Sequence, residues 1–264
     1  MNDSVNIAVI PLDIALADKN KNLDAVTTIV RSLRSDVDVV VLPELFSTGF
    51  ISDAALTSEL AESNSGNTIA TLTRLAAECN LAICGSFLAC TAGSYYNRGF
   101  FIEPSGETTW YDKHHLFSLS CETKLLDRGE VVPPLVRFRG WTFSFIVCYD
   151  LRFPAWCRNV NQRYDIMLVP ANWPVSRRYA WEHLLIGRAI ENQAYYVGAD
   201  RGGNDDYGCY DDMTMAFDYM GMPVGHCDPD TGILYMTTSR TKLEEARRRM
   251  PVAADADSFM FSTR

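Results

Sequence analysis

The chain has 264 residues, a formal net charge of −9 and a pI near 4.9. With 47% hydrophobic and 22% charged residues, its composition is that of a globular protein, long enough for one α/β domain with a large core. An acidic balance without a basic stripe argues against nucleic acid and anionic membrane as main partners.

Val5–Leu12 is an apolar run of strand length, and Asn22–Leu33 follows with Leu23, Val26, Val30 and Leu33 on one helical stripe. In "VDVVVLPELFSTGF" a β-branched strand stops at Pro43, and Val39–Leu42 is apolar on both faces, as in a strand covered on both sides. Ile69–Ala77 reads as helix and Leu81–Cys90 as strand. Tyr95–Glu107 is a strand running into a Pro-Ser-Gly turn, and Thr108–Phe117 is a strand or extended loop. Trp141–Val147 reads as strand, Ala155–Val160 as a short helix, Tyr164–Pro174 as strand then loop and Arg178–Gln193 as helix. Ala194–Ala199, Met213–Asp218 and Gly232–Thr237 are expected strands. Thr241-x-x-Glu244 resembles a capping box opening a last helix that Pro251 ends. Arg247-Arg248-Arg249, beside Glu244 and Glu245, reads as a solvated face of that helix.

The alternation of strands and helices describes a single α/β domain over residues 1–264 with mixed sheets, and a tail at 252–264 that is either frayed or a strap on a partner. No apolar run approaches the length of a membrane span. The opening Met-Asn-Asp-Ser has neither a charged nor an apolar leader region, so no signal peptide is expected. Eight cysteines without a CxxC pair imply free thiols and a cytoplasmic location. His114 and His115 are adjacent and expected to point apart on a strand. His183 and His226 are isolated, so no metal site is expected.

Ionisable residues at the ends of buried strands are where chemistry is expected. Glu44 follows Val39–Leu42, Lys113 lies in "YDKHHLF", and Cys148 follows Trp141–Val147. A thiol reacts as thiolate and needs a base or a cation beside it. A partly buried glutamate can serve as that base, and a lysine can favour the thiolate and hold an oxyanion. Each residue alone also has a plain reading. Cys148 would be a core thiol, Glu44 a surface carboxylate and Lys113 a snorkelling side chain. Spacing alone does not bring the three together.

The motifs do more. "VVLPELFSTGF", "YDKHHLF" and "CYDLRFPAWCRN", in this order, resemble the glutamate, lysine and cysteine motifs of the nitrilase superfamily of carbon–nitrogen hydrolases. "VPANWP" and "GRAIENQAYYVGADR" resemble two further signatures of that family. Tyr-Asp-Leu-Arg-Phe-Pro after the cysteine resembles the omega-amidase branch, where true nitrilases usually carry Trp-Glu. The resemblance implies a four-layer αββα sandwich that dimerises, needs no cofactor or metal, and acts on a small-molecule amide. Glu44 is then the base, Lys113 the cation, Cys148 the nucleophile and Glu122 a second glutamate supporting the lysine. The Tyr149 N–H joins Lys113 in holding the oxyanion, and Asn172 and Trp173 line the pocket. The implied substrates are small dicarboxylic monoamides such as 2-oxoglutaramate and 2-oxosuccinamate.

The free carboxylate of such a substrate needs a local cation, for a buried unpaired anion is costly. Arg177 is the first candidate and Arg152 the second, unless Arg152 pairs with Asp150. Arg188 is expected to pair with Glu191 three residues on. Two departures from the family pattern, at Thr214-Met215 and near Pro11, leave the pocket shape open. The alternatives are another small-amide hydrolase, a non-catalytic binding protein, or a Cys–His enzyme using His183 or His226.

Overall fold

A computed structural model describes residues 3–205, 208–211 and 213–257. In chain order it contains β1 (Asn6–Val9), α1 (Lys19–Ser32), β2 (Val39–Val41), α2 (Ala54–Leu60), α3 (Asn67–Cys79), β3 (Ala82–Thr91), β4 (Ser94–Ile102) and β5 (Thr108–Asp112). A single turn, α4 (Glu122–Leu125), precedes β6 (Val136–Phe138), β7 (Trp141–Phe145), β8 (Ile166–Pro170), α5 (Arg178–Asn192) and β9 (Tyr195–Ala199). The chain continues through β10 (Gly202–Asp205), β11 (Gly208–Asp211), β12 (Met215–Phe217), β13 (His226–Cys227), β14 (Leu234–Thr237) and α6 (Arg240–Arg249).

Seven strands form one sheet in the order β13-β14-β1-β2-β3-β4-β5, and five form a second in the order β12-β9-β8-β7-β6. Both are built alike. A parallel trio, β1-β2-β3 in the first and β7-β8-β9 in the second, is flanked by antiparallel strands. The trios explain the apolar runs, because parallel strands are buried on both faces. Val39 and Val41 face the second sheet within the inter-sheet core, while Val40 and Leu42 face the outer layer of α1 and α3. The Leu23, Val26 and Val30 stripe of α1 is buried in that outer layer. Against the other sheet lies α5, through Trp181, Leu185 and Ala189. A Cβ at Gly198 of β9 would overlap the Trp181 ring, so glycine there sets how closely α5 approaches. The result is the expected four-layer αββα sandwich in a single domain.

Several local expectations are corrected. Ala155–Val160 is not a helix: residues 154–157 form turns in which the Trp156 and Cys157 N–H groups donate to the Phe153 carbonyl, and the chain leaves them at 158–159. His114 and His115 do not diverge, because residues 113–117 have left the strand and its alternation. Their rings meet edge to face at 4.6 Å. The last helix is capped by Ser239, whose side chain accepts from the Lys242 N–H, while Thr241 lies inside the helix and bonds Asp3. Arg247 is not on a solvated face. It reaches the Asp165 carboxylate at 2.9 Å and the carbonyls of Tyr164 and Gln193, tying α6 to the second sheet. The strands and helix at α2, β6, β10, β11 and β13 carry no periodicity strong enough to have been expected. Of the tail, residues 252–255 are turns and bends, and 258–264 lie outside the described residues.

Candidate active site

The C-terminal ends of both parallel trios point to one edge of the sandwich, and there the chain turns sharply at three places. After β2 comes Leu42-Pro43, and the backbone folds into a turn at Glu44 in which the Leu45 N–H donates to Ser86 Oγ at 2.8 Å. After β5, Lys113 is the first residue beyond the strand. Its N–H donates to the Asn97 carbonyl at 3.0 Å and its carbonyl accepts from the Gly129 N–H at 2.9 Å. A Cβ at Gly129 would overlap the Asp112 carbonyl, so this close approach requires glycine. After β7, Cys148 begins a 3₁₀ turn, Cys148–Arg152, with φ at +47°. This left-handed conformation is strained for a side chain with a Cβ.

The strained bend is held by Asp150, which is fully buried. Its Oδ2 accepts from the Tyr111 hydroxyl at 2.7 Å and the Val147 N–H at 3.2 Å, and its Oδ1 from the His115 N–H at 2.9 Å. His115 Nδ1 lies 2.8 Å from the same Oδ1, and the His115 ring stacks on Phe153. Asp150 is therefore committed to its own loop and does not pair with Arg152, which corrects that alternative. Arg152 instead lies over the Trp173 ring at 4.8 Å.

Inside the edge, Lys113 joins two carboxylates. Its Nζ is 2.8 Å from Glu44 Oε1, 2.8 Å from Glu122 Oε1 and 3.0 Å from Glu122 Oε2. Glu122 also accepts from the Phe117 N–H at 2.6 Å. Glu44 Oε2 accepts from the Asn172 N–H at 2.9 Å, and the Asn172 amide donates to the Glu44 carbonyl at 3.0 Å. Glu44, Lys113 and Glu122 are each at most 2% exposed. Burial alone would lower the Lys113 ammonium, but Glu122, Glu44 and then Cys148 outweigh it and hold it charged. Burial and the neighbouring Glu44 push the Cys148 thiol well above its ordinary value, while Lys113 draws it down. The resting sulfur is thus a protonated thiol beside a carboxylate that can take its proton.

These groups open into a cavity of about 260 Å³ bordered by Glu44, Lys113, Glu122, Cys148, Tyr149, Asn172, Trp173 and Arg177, so every residue expected at the site reaches it. Arg152 reaches it as well. The Arg177 guanidinium lies 4.9 Å from the Phe117 ring centre, and the Trp173 indole donates to the Arg177 carbonyl at 3.0 Å. Neither arginine has a carboxylate partner among the described residues, whereas Arg188 has Glu191 at 3.0 Å as expected. His183 stacks on Tyr179 and His226 sits exposed on an edge strand, so neither borders the cavity. Among the described residues no group of three His, Cys, Asp or Glu side chains is placed to hold a metal.

Three contributors were not expected. Tyr210 borders the cavity from the β10–β11 hairpin, its hydroxyl donating to Asp205 at 3.1 Å and its ring under the buried Arg201. Asp200, at the end of β9, accepts from the Trp173 N–H at 2.7 Å, and burial holds its carboxyl well above the usual carboxylate range. Asn97 of β4 donates to Glu44 Oε1 at 2.7 Å and Glu122 Oε1 at 3.3 Å. Its signal in the sequence is one amide on the strand face that also carries Phe101, toward the second sheet.

Two α/β layers thus pack back to back, with a thiol at a strained bend beside a buried acid and ammonium. The family model described as carbon-nitrogen hydrolase matches residues 6–248, and the chain belongs to that family. It is 40% identical to the omega-amidase YafV of Escherichia coli over 224 residues, 84% of this chain and 85% of that one. It is 27% identical to the 2-oxoglutaramate amidase of Bacillus subtilis over 252 residues, 94% of this chain and 96% of that one. Among solved structures it resembles XC1258 of Xanthomonas campestris, a CN-hydrolase superfamily protein with an arsenic adduct in its active site. That match has a TM-score of 0.91 at 32% identity and covers 99% of this chain and 100% of the other.

Proposed function

We propose that the protein is an omega-amidase. It hydrolyses the terminal amide of small dicarboxylic monoamides, 2-oxoglutaramate or 2-oxosuccinamate, to the 2-oxo acid and ammonia. The observation that carries the reading is the cavity lining, where the Cys148 thiol lies with Glu44 and Lys113, and where Arg152 and Arg177 have no carboxylate partner among the described residues. The relatives named above support the same chemistry.

The steps follow from the geometry. Glu44 accepts the Cys148 proton as sulfur attacks the amide carbon. A thiol pushed up by burial makes this transfer part of the attack, in contrast to a preformed thiolate. The carbonyl oxygen takes up the negative charge and is met by the Lys113 ammonium and the Tyr149 N–H. As the C–N bond breaks, Glu44 returns the proton to the leaving nitrogen, and ammonia departs from a thioester. Glu44 then accepts a proton from water, whose oxygen attacks the thioester carbon. The C–S bond breaks, and the proton passes to Cys148. Glu122 holds Lys113 in place throughout. Arg177, with Arg152, binds the free carboxylate of the substrate, and Asn172 and Trp173 shape the wall between it and the thiol. A cytoplasmic homodimer belongs to the same reading. Eight free cysteines support the reducing location, and the family resemblance supports the dimer.

The test is ammonia release from 2-oxoglutaramate by wild type and Cys148→Ala, with an amide lacking the carboxylate alongside. Release by wild type alone, with clear preference for the charged amide, is expected. Equal release by both proteins would remove Cys148 from the mechanism, and no release by either would remove the substrate.

A further inference from the structure

We propose that Asn97 is a positioning residue for the reaction, whose amide N–H groups hold Glu44 and Glu122 on either side of Lys113 in the doubly ionised arrangement from which the proton relay starts. The inference rests on the function proposed above and adds to it a residue that does not itself border the cavity.

Two carboxylates share one ammonium here, so the cluster carries a net negative charge in a place removed from water. Like charges so close disfavour joint ionisation. A proton placed on Glu44 would block its acceptance of the one on Cys148. Asn97 answers this without adding charge. Its Nδ2 is 2.7 Å from Glu44 Oε1 and 3.3 Å from Glu122 Oε1, and its own carbonyl accepts from the Lys113 N–H at 3.0 Å. One fully buried residue therefore fixes the backbone of the lysine and the side chains of both acids.

The orientation of the amide follows from its neighbours. Reversed, it would aim a carbonyl oxygen at two anionic oxygens. As it stands, Oδ1 has no protein donor among the described residues. An apolar side chain would avoid that unsatisfied acceptor, so the position is explained by its N–H face. The charged or titratable groups that face Glu44 are Lys113, Glu122, Cys148, Asp200 and Tyr210. Of these, Lys113 is the one cation in hydrogen-bond contact with Glu44 among the described residues, and it is shared with Glu122.

The experiment compares wild type with Asn97→Leu and Asn97→Asp. It records the pH profile of kcat/KM on 2-oxoglutaramate and, separately, the pH profile of Cys148 alkylation by iodoacetamide, followed on the Cys148 peptide. The second readout needs no knowledge of the substrate. If wild type fails to release ammonia, the omega-amidase reading fails while the alkylation profile still decides the role of Asn97. For Asn97→Leu we expect kcat to fall about 10- to 100-fold near neutral pH, KM to stay within about twofold, and the ascending limb to move up by about one pH unit in both profiles. Asn97→Asp should work at low pH, where its protonated carboxyl donates as the amide does. It should then lose activity as pH rises through a range where wild type is level. Folded variants whose profiles are scaled down equally at every pH would overturn the proposal and leave Asn97 a packing residue. If Asn97→Leu does not fold, the direction of the Asn97→Asp profile decides alone.

Discussion

The two sheets contribute different chemistry to the same edge. From the seven-stranded sheet and the segment that follows it come the charged groups: Glu44 after β2, Asn97 within β4, Lys113 after β5 and Glu122 on α4. From the five-stranded sheet come the thiol after β7, Asn172 after β8 and Asp200 after β9. One side supplies the acid that takes the proton and the ammonium beside it, and the other supplies the thiol and, at the cavity rim, Arg152 and Arg177. Neither sheet has a site alone. The inter-sheet core of Val39, Val41, Phe101, Phe143 and Phe145 therefore positions the chemistry as well as stabilising the fold. Dividing the work this way keeps the strained Cys148 bend away from the ion cluster in sequence, and only docking of the sheets brings thiol and acid together.

The sharpest break of this division is Glu44→Gln, which removes the acid of the seven-stranded side and keeps the thiol. It should lower kcat for ammonia release by about 10²- to 10⁴-fold, the usual range for a lost general base. Cys148 would stay in place and alkylate only at more alkaline pH. His183→Ala and His226→Ala serve as controls and should stay within about twofold of wild type, because neither ring borders the cavity. A large loss in either histidine variant with Glu44→Gln still active would return the mechanism to a Cys–His pair.

A smaller effect tests the docking itself. Gly99 of β4 lies against Phe145 of β7, where an added Cβ would sit 3.1 Å from the ring and 3.3 Å from the Tyr111 carbonyl. Gly99→Ala should overpack the space between the sheets, costing about 1–3 kcal/mol by denaturant unfolding. It should also lower kcat by about tenfold, since small misplacements of reacting groups are expensive. Lost stability with unchanged kcat would show that the thiol–acid geometry tolerates a shift between the sheets.

The same division explains what was legible beforehand. Glu44, Lys113 and Cys148 stand out because each follows a strongly apolar strand, and the motif resemblance supplies the order that spacing could not. The alternation of strands and helices made an α/β domain with mixed sheets legible, whereas the four layers were implied by the motif resemblance alone. Asn97 was hidden because a single amide in "YYNRGFF" looks like ordinary strand alternation; its role exists only once β5 and α4 bring Lys113 and Glu122 to it. Tyr210 was hidden because the Gly-rich hairpin around it has no apolar period. Arg247 was misread because its partner, Asp165, is 82 residues away in the chain, and a charge run is judged by its neighbours in sequence. Asp150 was assigned a possible arginine because that arginine is two positions on, whereas its actual donors, Tyr111 and His115, come from the other sheet's side.

The smallest expected effect separates the two sides by pH. Burial holds the Asp200 carboxyl well above its usual range, against donors from Trp173 and Arg201 that draw it down. For such a group the folded state binds the proton more tightly than the unfolded chain does. Its contribution to stability is therefore full below about pH 4, the unfolded carboxyl value, and is lost as pH rises toward the folded value. Lys113 is raised too, but its unfolded value is about 10.4, so its contribution is level across neutral pH and falls only at strongly alkaline pH. Between pH 5 and 8 Lys113 should then be silent while Asp200 titrates. Asp200→Asn removes that titration and should flatten the fall in Tm of the protein over this range. The variant should gain on wild type at pH 8 relative to pH 5, by about 1 kcal/mol for each pH unit by which the folded carboxyl exceeds the unfolded one within that window. An unchanged slope of Tm against pH would mean that Asp200 is ionised in the folded protein. The buried end of β9 would then carry an anion of its own near Glu44, and the seven-stranded side would not be the only source of buried acid at this edge.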